Sequence, residues 1–237
     1  MNRIVAVKSI LDTFKDATYL EIGVNEGKSF TPIRVKRKWG VDPSYKVFWR
    51  RRLELIAFSL LGITAHKIFR MTSDAFFDTK KDMLAIYGID VCFVDGLHTY
   101  EQSLRDVLNA LQYLNPNGVI LMHDCNPTTE LMALPAANIE AMKHTSAAEW
   151  DGAWCGDVWK AIVHLRSIRD DLNVFVLDCD FGIGVISRGR TMSRLSYSEA
   201  DIRAMDYDAL AAKRKELLDL RPPEYLGEFL RQRPAQA

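Results

Sequence analysis

The sequence predicts a doubly wound α/β domain with a mostly parallel sheet, and three observations predict it. Short apolar runs alternate with longer amphipathic segments, the pattern of βα repeats around a parallel sheet. The first strands end in acidic or glycine-bearing turns, and open sheets of this kind bind ligands at the carboxyl ends of their strands. Two late β runs stand too close together for a helical crossover, so they must pair antiparallel at one end of the sheet.

Taken in order, Ile4 to Phe14 reads as a helix and Ala17 to Gly23 as a strand running into a glycine-bearing turn. A helix over Ser29 to Lys38, a short strand over Trp39 to Asp42 and a helix from Lys46 to Leu61 follow. Thr64 to Met71 is the third strand and Phe76 to Tyr87 its helix; Asp90 to Asp95 is the fourth, with a helix over Tyr100 to Leu114. Asn115-Pro-Asn-Gly118 is a turn signal that sets the start of the fifth strand, Gly118 to Asp124. Residues 125–156 break the rhythm and read as a long lid-like insertion with some helix. Asp157 to Arg169 is helical, and Asn173 to Asp178 with Gly182 to Ser187 forms the terminal hairpin. The expected division is residues 1–190 as the main domain and 191–237 as a C-terminal helical extension. Leu210, Leu217, Leu218 and Leu220 give that extension an apolar face that must pack somewhere.

Composition narrows the function. The 237 residues carry 31 basic and 31 acidic side chains, a balance that argues against nucleic acid as the main partner. No apolar stretch approaches the roughly 18 residues of a membrane span, and the N-terminus lacks the pattern of a signal peptide. Cys92, Cys125, Cys155 and Cys179 form no CxxC pair, which points to a reduced, cytoplasmic chain without structural zinc.

The first strand ends in Glu21-Ile-Gly23-Val-Asn25-Glu-Gly27-Lys28-Ser29, and two nucleotide readings compete. A phosphate-binding P-loop requires G-x-x-x-x-G-K-[ST]; this segment is one residue short. The other reading is E-x-G-x-x-x-G, whose glycines let the backbone approach a nucleoside without a pyrophosphate cradle. Asp42 closes the second strand 21 residues after Glu21, a spacing that suits a carboxylate accepting from both ribose hydroxyls. Ser73 and Asp74 follow the third strand where an adenine amino group would lie. The plainer alternative makes Asp42 and Asp74 solvated helix caps.

With these residues in place, the chain resembles the class I S-adenosylmethionine-dependent methyltransferases over about residues 15 to 190. The Rossmann-like order and terminal hairpin fit that class. Phe93-Val-Asp95-Gly-Leu-His98-Thr-Tyr100 and His123-Asp124 resemble its sugar and macrolide O-methyltransferase branch. Asn25 stands where the family has its middle glycine. The resemblance implies S-adenosylmethionine as cofactor, held by Glu21, Gly23, Asn25, Gly27, Ser29, Asp42, Ser73, Asp74 and Asp95. It also implies a small-molecule or glycan acceptor, with a homo-oligomer allowed. In related metal-dependent enzymes the carboxylates matching Asp95 and Asp124 hold Mg2+ or another divalent cation. The position after Asp124 is Cys125, a soft ligand ill suited to magnesium, and Asn126 could substitute.

Methyl transfer from a sulfonium is an in-line displacement, and an alcohol attacks only once a base or a cation has activated it. His98, Asp95 and Asp124 are the catalytic candidates, with His98 as base and the carboxylates around a cation that orients the acceptor. The competing readings make His98 a helix cap, or make the chain a non-catalytic nucleoside-binding relative or a P-loop phosphotransferase. Lys36-Arg37-Lys38 and Arg50-Arg51-Arg52 read as solvated helix faces, His66 as a satisfied structural histidine, and His144 and His164 as residues with no partner in spacing. Trp159 reads as core, with Trp150 and Trp154 as walls of an acceptor pocket.

Overall fold

The architecture is a mostly parallel mixed sheet with flanking helices. The structure is a computed structural model that describes residues 1–137, 140, 152–190 and 193–233. The chain divides into two compact units: Met1–Gly96 with Asp106–Leu121 and Phe229–Ala237, and Leu97–Arg105 with Met122–Glu228.

In the first unit, strands β1 (Thr18–Ile22), β2 (Arg37–Val41), β3 (Ala65–Phe69), β4 (Ile89–Val94) and β5 (Leu114–Met122) run in the order β3-β2-β1-β4-β5. β1 pairs parallel with β2 and β4, and β3 pairs parallel with β2. β1 is buried on both faces and reads as one apolar run apart from Glu21, as a central parallel strand should. Edge strand β3 alternates exposed and half-buried residues instead. Helix α1 (Arg3–Leu11) starts where the Asn2 side chain accepts from the Val5 N–H, and it buries Ala6, Val7, Ile10 and Leu11. α2 spans Trp49–Leu60. The single helix expected over 76–87 is two, α3 (Ser73–Thr79) and α4 (Lys81–Tyr87), broken at Lys80. α5 (Tyr100–Tyr113) follows β4.

Two local expectations fail in this unit, each where a side chain is held by a partner distant from it in the local pattern. In place of the helix expected over 29–38, residues 29–32 form turns, 33–36 are irregular and 37–38 already belong to β2. Lys38, on β2, sends its ammonium inward to that segment, donating to the carbonyls of Phe30 (3.0 Å) and Ile33 (2.7 Å). The basic run 36–38 is therefore no solvated helix face: Lys38 is fully buried. The Asn115-Pro-Asn-Gly118 segment is extended and belongs to β5. Its Asn115 amide donates to Asp90 Oδ1 at 2.7 Å, which holds the segment beside the start of β4.

The second unit carries β6 (Leu172–Leu177) and β7 (Ile183–Arg188), the expected antiparallel hairpin, and β8 (Leu220–Arg221), which adds parallel to β6. Its helices are α6 (Glu130–Ala133), α7 (Trp159–Ile168), α8 (Glu199–Ala204) and α9 (Tyr207–Leu218), with α10 (Tyr225–Gln232) closing the chain. Trp159 and Arg166 are buried on α7. The Arg166 guanidinium donates to the carbonyls of Glu216 and Leu217 and to Ser193, so it satisfies the exposed carbonyl end of α9 from within. Leu210, Leu217 and Leu218 are buried as the tail's apolar spacing required, while Leu220 joins β8. Among the described residues, no helix is long and apolar enough to cross a membrane.

Candidate active site

The turn after β1 is built around two fixed points. Gly23 has φ +88°, and a Cβ there would sit 1.9 Å from the Asp95 carbonyl oxygen, so only glycine lets the ends of β1 and β4 approach so closely. Asp42, at the end of β2, accepts from two backbone N–H groups: Asn25 on Oδ2 and Ser44 on Oδ1, both at 2.6 Å. Asn25 is itself left-handed, with φ 45°, which aims its N–H at the carboxylate. Asp42 thus ties the glycine turn to the loop after β2, and it is no solvated cap.

Beneath the turn lies a buried polar network. Glu21 accepts from Tyr19 Oη at 2.5 Å and Ser29 Oγ at 2.6 Å. Burial pushes its carboxyl up to about 7, against the lowering pull of the hydrogen bonds from Ser29 and Tyr19. Burial likewise lowers Lys38 to about 8, with Glu21 pulling the other way. Glu21 and Ser29 are therefore engaged with each other below the turn. Lys28 points outward, 74% exposed and 3.0 Å from Glu26. With no helix after it, the segment lacks the strand–loop–helix frame of a P-loop, which corrects that reading. Gly27 has φ +74° and packs on Val47 and Thr31. Ser73 opens α3 and Asp74 lies in its first turn, but Thr72 is the residue that caps the helix. Asp95, at the end of β4, receives the Arg3 guanidinium at 3.0 Å.

In the second unit, His98 and Asp124 meet. His98 Nδ1 is 2.8 Å from the Trp154 carbonyl, an acceptor only, so Nδ1 carries the proton. Nε2 then faces Asp124 Oδ2 at 3.2 Å. With Nδ1 protonated, Nε2 is the nitrogen that can take a proton or a cation beside that carboxylate. His123 Nδ1 lies 3.0 Å from the same Asp124 oxygen, and its Nε2 is 3.7 Å from Asp180 Oδ1. The Cys155 thiol donates to Asp124 Oδ1 at 3.4 Å.

Four chain segments assemble this pocket. The Trp154 ring lies 5.1 Å from the His98 ring, and its indole N–H donates to the Leu134 carbonyl. Gly156, φ +62°, allows its segment to lie on the His98 carbonyl, which a Cβ would meet at 1.9 Å. The Asp157 carboxylate takes the Tyr100 N–H at 2.7 Å and so starts α5, the role that a capping His98 would have played. In the β6–β7 turn, Asp180 and Phe181 both have positive φ, at 49° and 60°. Such residues persist only where their surroundings over-determine them. Here the N–H groups of Cys125 and Asn126 donate to the Gly182 and Phe181 carbonyls.

His98 and Asp124 are thus together, and His123 and Asp180 join them unforeseen. The His-Asp doublet at the end of β5 was a signal for His123; nothing local marks Asp180. Cys125 turns its thiol to the Met122 and His123 carbonyls, away from Asp124. Asn126 is engaged elsewhere, its amide donating to Asp178 and its oxygen accepting from Arg214. His164 does have a partner, Tyr100 Oη at 2.7 Å. His66 lies on β3, and its Nδ1 has no hydrogen-bond partner among the described residues. Trp150 and His144 lie outside the described residues.

A parallel sheet with a glycine turn after its first strand, an acidic end to its second and a terminal antiparallel hairpin is the arrangement of the class I methyltransferase fold, and this chain has that fold. Residues 20–125 match the family model described as a methyltransferase domain. A protein of Acanthamoeba polyphaga mimivirus is 29% identical over 126 residues, which cover 50% of this chain and 57% of that relative, so the match spans little more than half of its length. The fold is shared with an O-methyltransferase of Bacillus cereus solved with S-adenosylhomocysteine, at TM-score 0.51 and 11% identity over 78% of this chain and 80% of the other. A Klebsiella pneumoniae protein solved as a candidate O-methyltransferase gives TM-score 0.51 and 12% identity over 78% and 79% of the two chains.

Proposed function

We propose that the protein transfers the methyl group of S-adenosylmethionine to a hydroxyl of a sugar, glycan or natural-product scaffold. The observation that carries this reading is His98: its Nδ1 proton is fixed by the Trp154 carbonyl, and its one remaining nitrogen faces a buried carboxylate. That arrangement suits a base which takes the acceptor's proton on Nε2 while Asp124 stabilises the imidazolium. Gly23, Asn25, Gly27 and Asp42 would receive the nucleoside, the bound cofactor supplying an electrophilic methyl. Glu21 and Ser29 would support the turn from below, and Ser73, Asp74 and Asp95 would complete the cofactor's surroundings.

A divalent cation fits the oxygen donors of this chain. Asp124 has His98 Nε2, His123 Nδ1 and the Cys155 thiol around it, and Asp95 stands three residues before His98 in sequence. These two carboxylates would hold Mg2+ or Mn2+, which prefer oxygen, and the ion would lower the acceptor's pKa. Because Nδ1 is committed, His98 has one nitrogen for either a metal or a proton. The base reading therefore leaves the metal to the carboxylates.

For the acceptor, the best candidate is a cavity of about 160 Å³ in the second unit, lined among others by Leu134, Asp157, Trp159, Lys160 and Tyr207. Its mixture of charged groups and a tryptophan suits a polyhydroxylated ring. The tail contributes Met205, Asp206 and Tyr207 to its lining, and the Tyr207 hydroxyl donates to the Thr128 carbonyl. The proposed division therefore makes 1–190 the catalytic domain and gives 191–237 a share in acceptor recognition. The test is transfer of labelled methyl from S-adenosylmethionine to a panel of sugars and hydroxylated scaffolds, with and without EDTA. Transfer that chelation abolishes and Mg2+ or Mn2+ restores supports the cation. Chelation-resistant transfer leaves His98 alone. S-adenosylhomocysteine binding with no transfer to any hydroxyl would favour a nucleoside-binding module.

A further inference from the structure

Helix α2 presents a face that the fold leaves uncovered. Leu55 is its one buried residue. Trp49, Leu53, Ile56 and Leu60 recur at intervals of four, three and four, which keeps them within about 60° of arc at 100° per residue. They are 60%, 55%, 50% and 83% exposed. A contiguous apolar stripe of this size on a domain surface marks a contact site, and the spacing is that of the seam positions of a two-helix pair. Arg50 and Arg52 flank the stripe in its N-terminal half, whereas Ala57 and Ser59 flank it in the C-terminal half.

We infer that α2 is a self-association surface, on which two copies of the chain pair these helices antiparallel about a two-fold axis passing between Glu54 and Leu55. The symmetry of the stripe selects a second copy as its occupant, and charge selects the orientation. A parallel pair would align the arginine-rich ends of the two helices. The antiparallel pair sets Trp49 against Leu60 of the partner subunit and Leu53 against Ile56 of the partner subunit. On one flank Arg50 then lies beside Ala57 of the partner subunit, and on the other flank Arg52 lies beside Ser59 of the partner subunit. Each guanidinium meets a small uncharged side chain, near the carbonyl end of the opposing helix where a cation is favoured. The stripe is complementary to itself under a two-fold axis, as an isologous dimer interface has to be.

Sedimentation velocity on the full chain, over a range of concentrations, reads the association. A reversible dimer is expected, and Leu53→Glu should weaken it roughly 30-fold or more, as the loss of a central seam residue does. Because Leu53 is exposed in the single chain, that variant should keep its circular dichroism spectrum and its S-adenosylhomocysteine binding. Orientation is read by oxidative crosslinking. Trp49→Cys combined with Leu60→Cys should form a covalent dimer, and each single variant should not. Eleven residues displace like positions by about 16 Å along antiparallel axes, well beyond disulfide reach. A chain that is monomeric at all concentrations overturns the inference, as does a dimer indifferent to Leu53→Glu. Efficient crosslinking by the single variants overturns the antiparallel register. A monomer that sediments with anionic vesicles, and loses this with Leu53→Glu, assigns the stripe to a lipid surface instead.

Discussion

The turn after β1 and the pocket after β5 hold their carboxylates by opposite means. Asp42 accepts from two main-chain N–H groups, donors that the fold fixes and that do not titrate. Asp124 is approached by two imidazoles and a thiol, each of which can give or take a proton. The first arrangement is a preorganised acceptor, suited to the binding role proposed for it. The second is suited to the proton movement that the proposed chemical step requires. Variants should divide in the same way.

The largest effect is expected in the pocket. His98→Ala should lower kcat by roughly 10²–10⁴, the usual contribution of a general base. Calorimetry with S-adenosylhomocysteine should show its affinity almost unchanged. A variant that loses affinity and keeps kcat would reverse the assignment of the two regions.

Beneath the glycine turn, at the end of β1, lies a buried carboxyl with a raised pKa. Glu21 is buried, with its carboxyl raised to about 7. Below about pH 4.5 both folded and unfolded chains carry its proton. Between there and pH 7 the unfolded chain loses the proton and the folded one keeps it, so stability falls as pH rises. The loss should total about 3 kcal/mol and then level off, at 1.36 kcal/mol per pKa unit. Urea denaturation from pH 4.5 to 8 should show this slope in the native chain and not in Glu21→Gln. Equal slopes in both would mean that Glu21 ionises normally.

The contrast also explains what the sequence made legible. Strand ends, the glycine turn and the β6–β7 hairpin are local signals, readable because a few adjacent residues determine them. Lys38 was misread because a lysine in a basic run is ordinarily solvated; its burial depends on the carbonyls of Phe30 and Ile33 turning toward it. Asn115-Pro-Asn-Gly118 reads as a turn until Asp90 is known to be its neighbour. His98 and Asp124 were visible at the ends of their strands. The Trp154 carbonyl, which orients His98, and Asp180, which faces His123, come from distant segments. Main-chain acceptors and left-handed turns leave no residue-type signature to find.

Asp42→Ala should have a smaller effect than either, confined to binding. It removes the acceptor for the Asn25 and Ser44 N–H groups and weakens S-adenosylhomocysteine binding by about 1–3 kcal/mol, the cost of leaving buried donors unsatisfied. At saturating cofactor, kcat should remain near that of the native chain. A matched fall in kcat would show that the turn positions the reacting methyl as well as the nucleoside.

The smallest effect is the one that separates a nucleoside turn from a phosphate cradle. In a P-loop the lysine reaches the phosphates, and its removal is severe. Here Lys28 is 74% exposed and 3.0 Å from the half-exposed Glu26, on the outer side of a turn whose serine is bonded inward to Glu21. An exposed pair of this kind contributes about 0.2–1 kcal/mol at most, and salt screens it further. Lys28→Ala should therefore leave S-adenosylhomocysteine affinity within about twofold and stability within that range. The native chain should show no magnesium-dependent ATP binding for the substitution to remove. If Lys28→Ala instead abolished nucleotide binding, the turn would have to reorganise around a phosphate, and Asp42 would lose its place as the residue that defines the site.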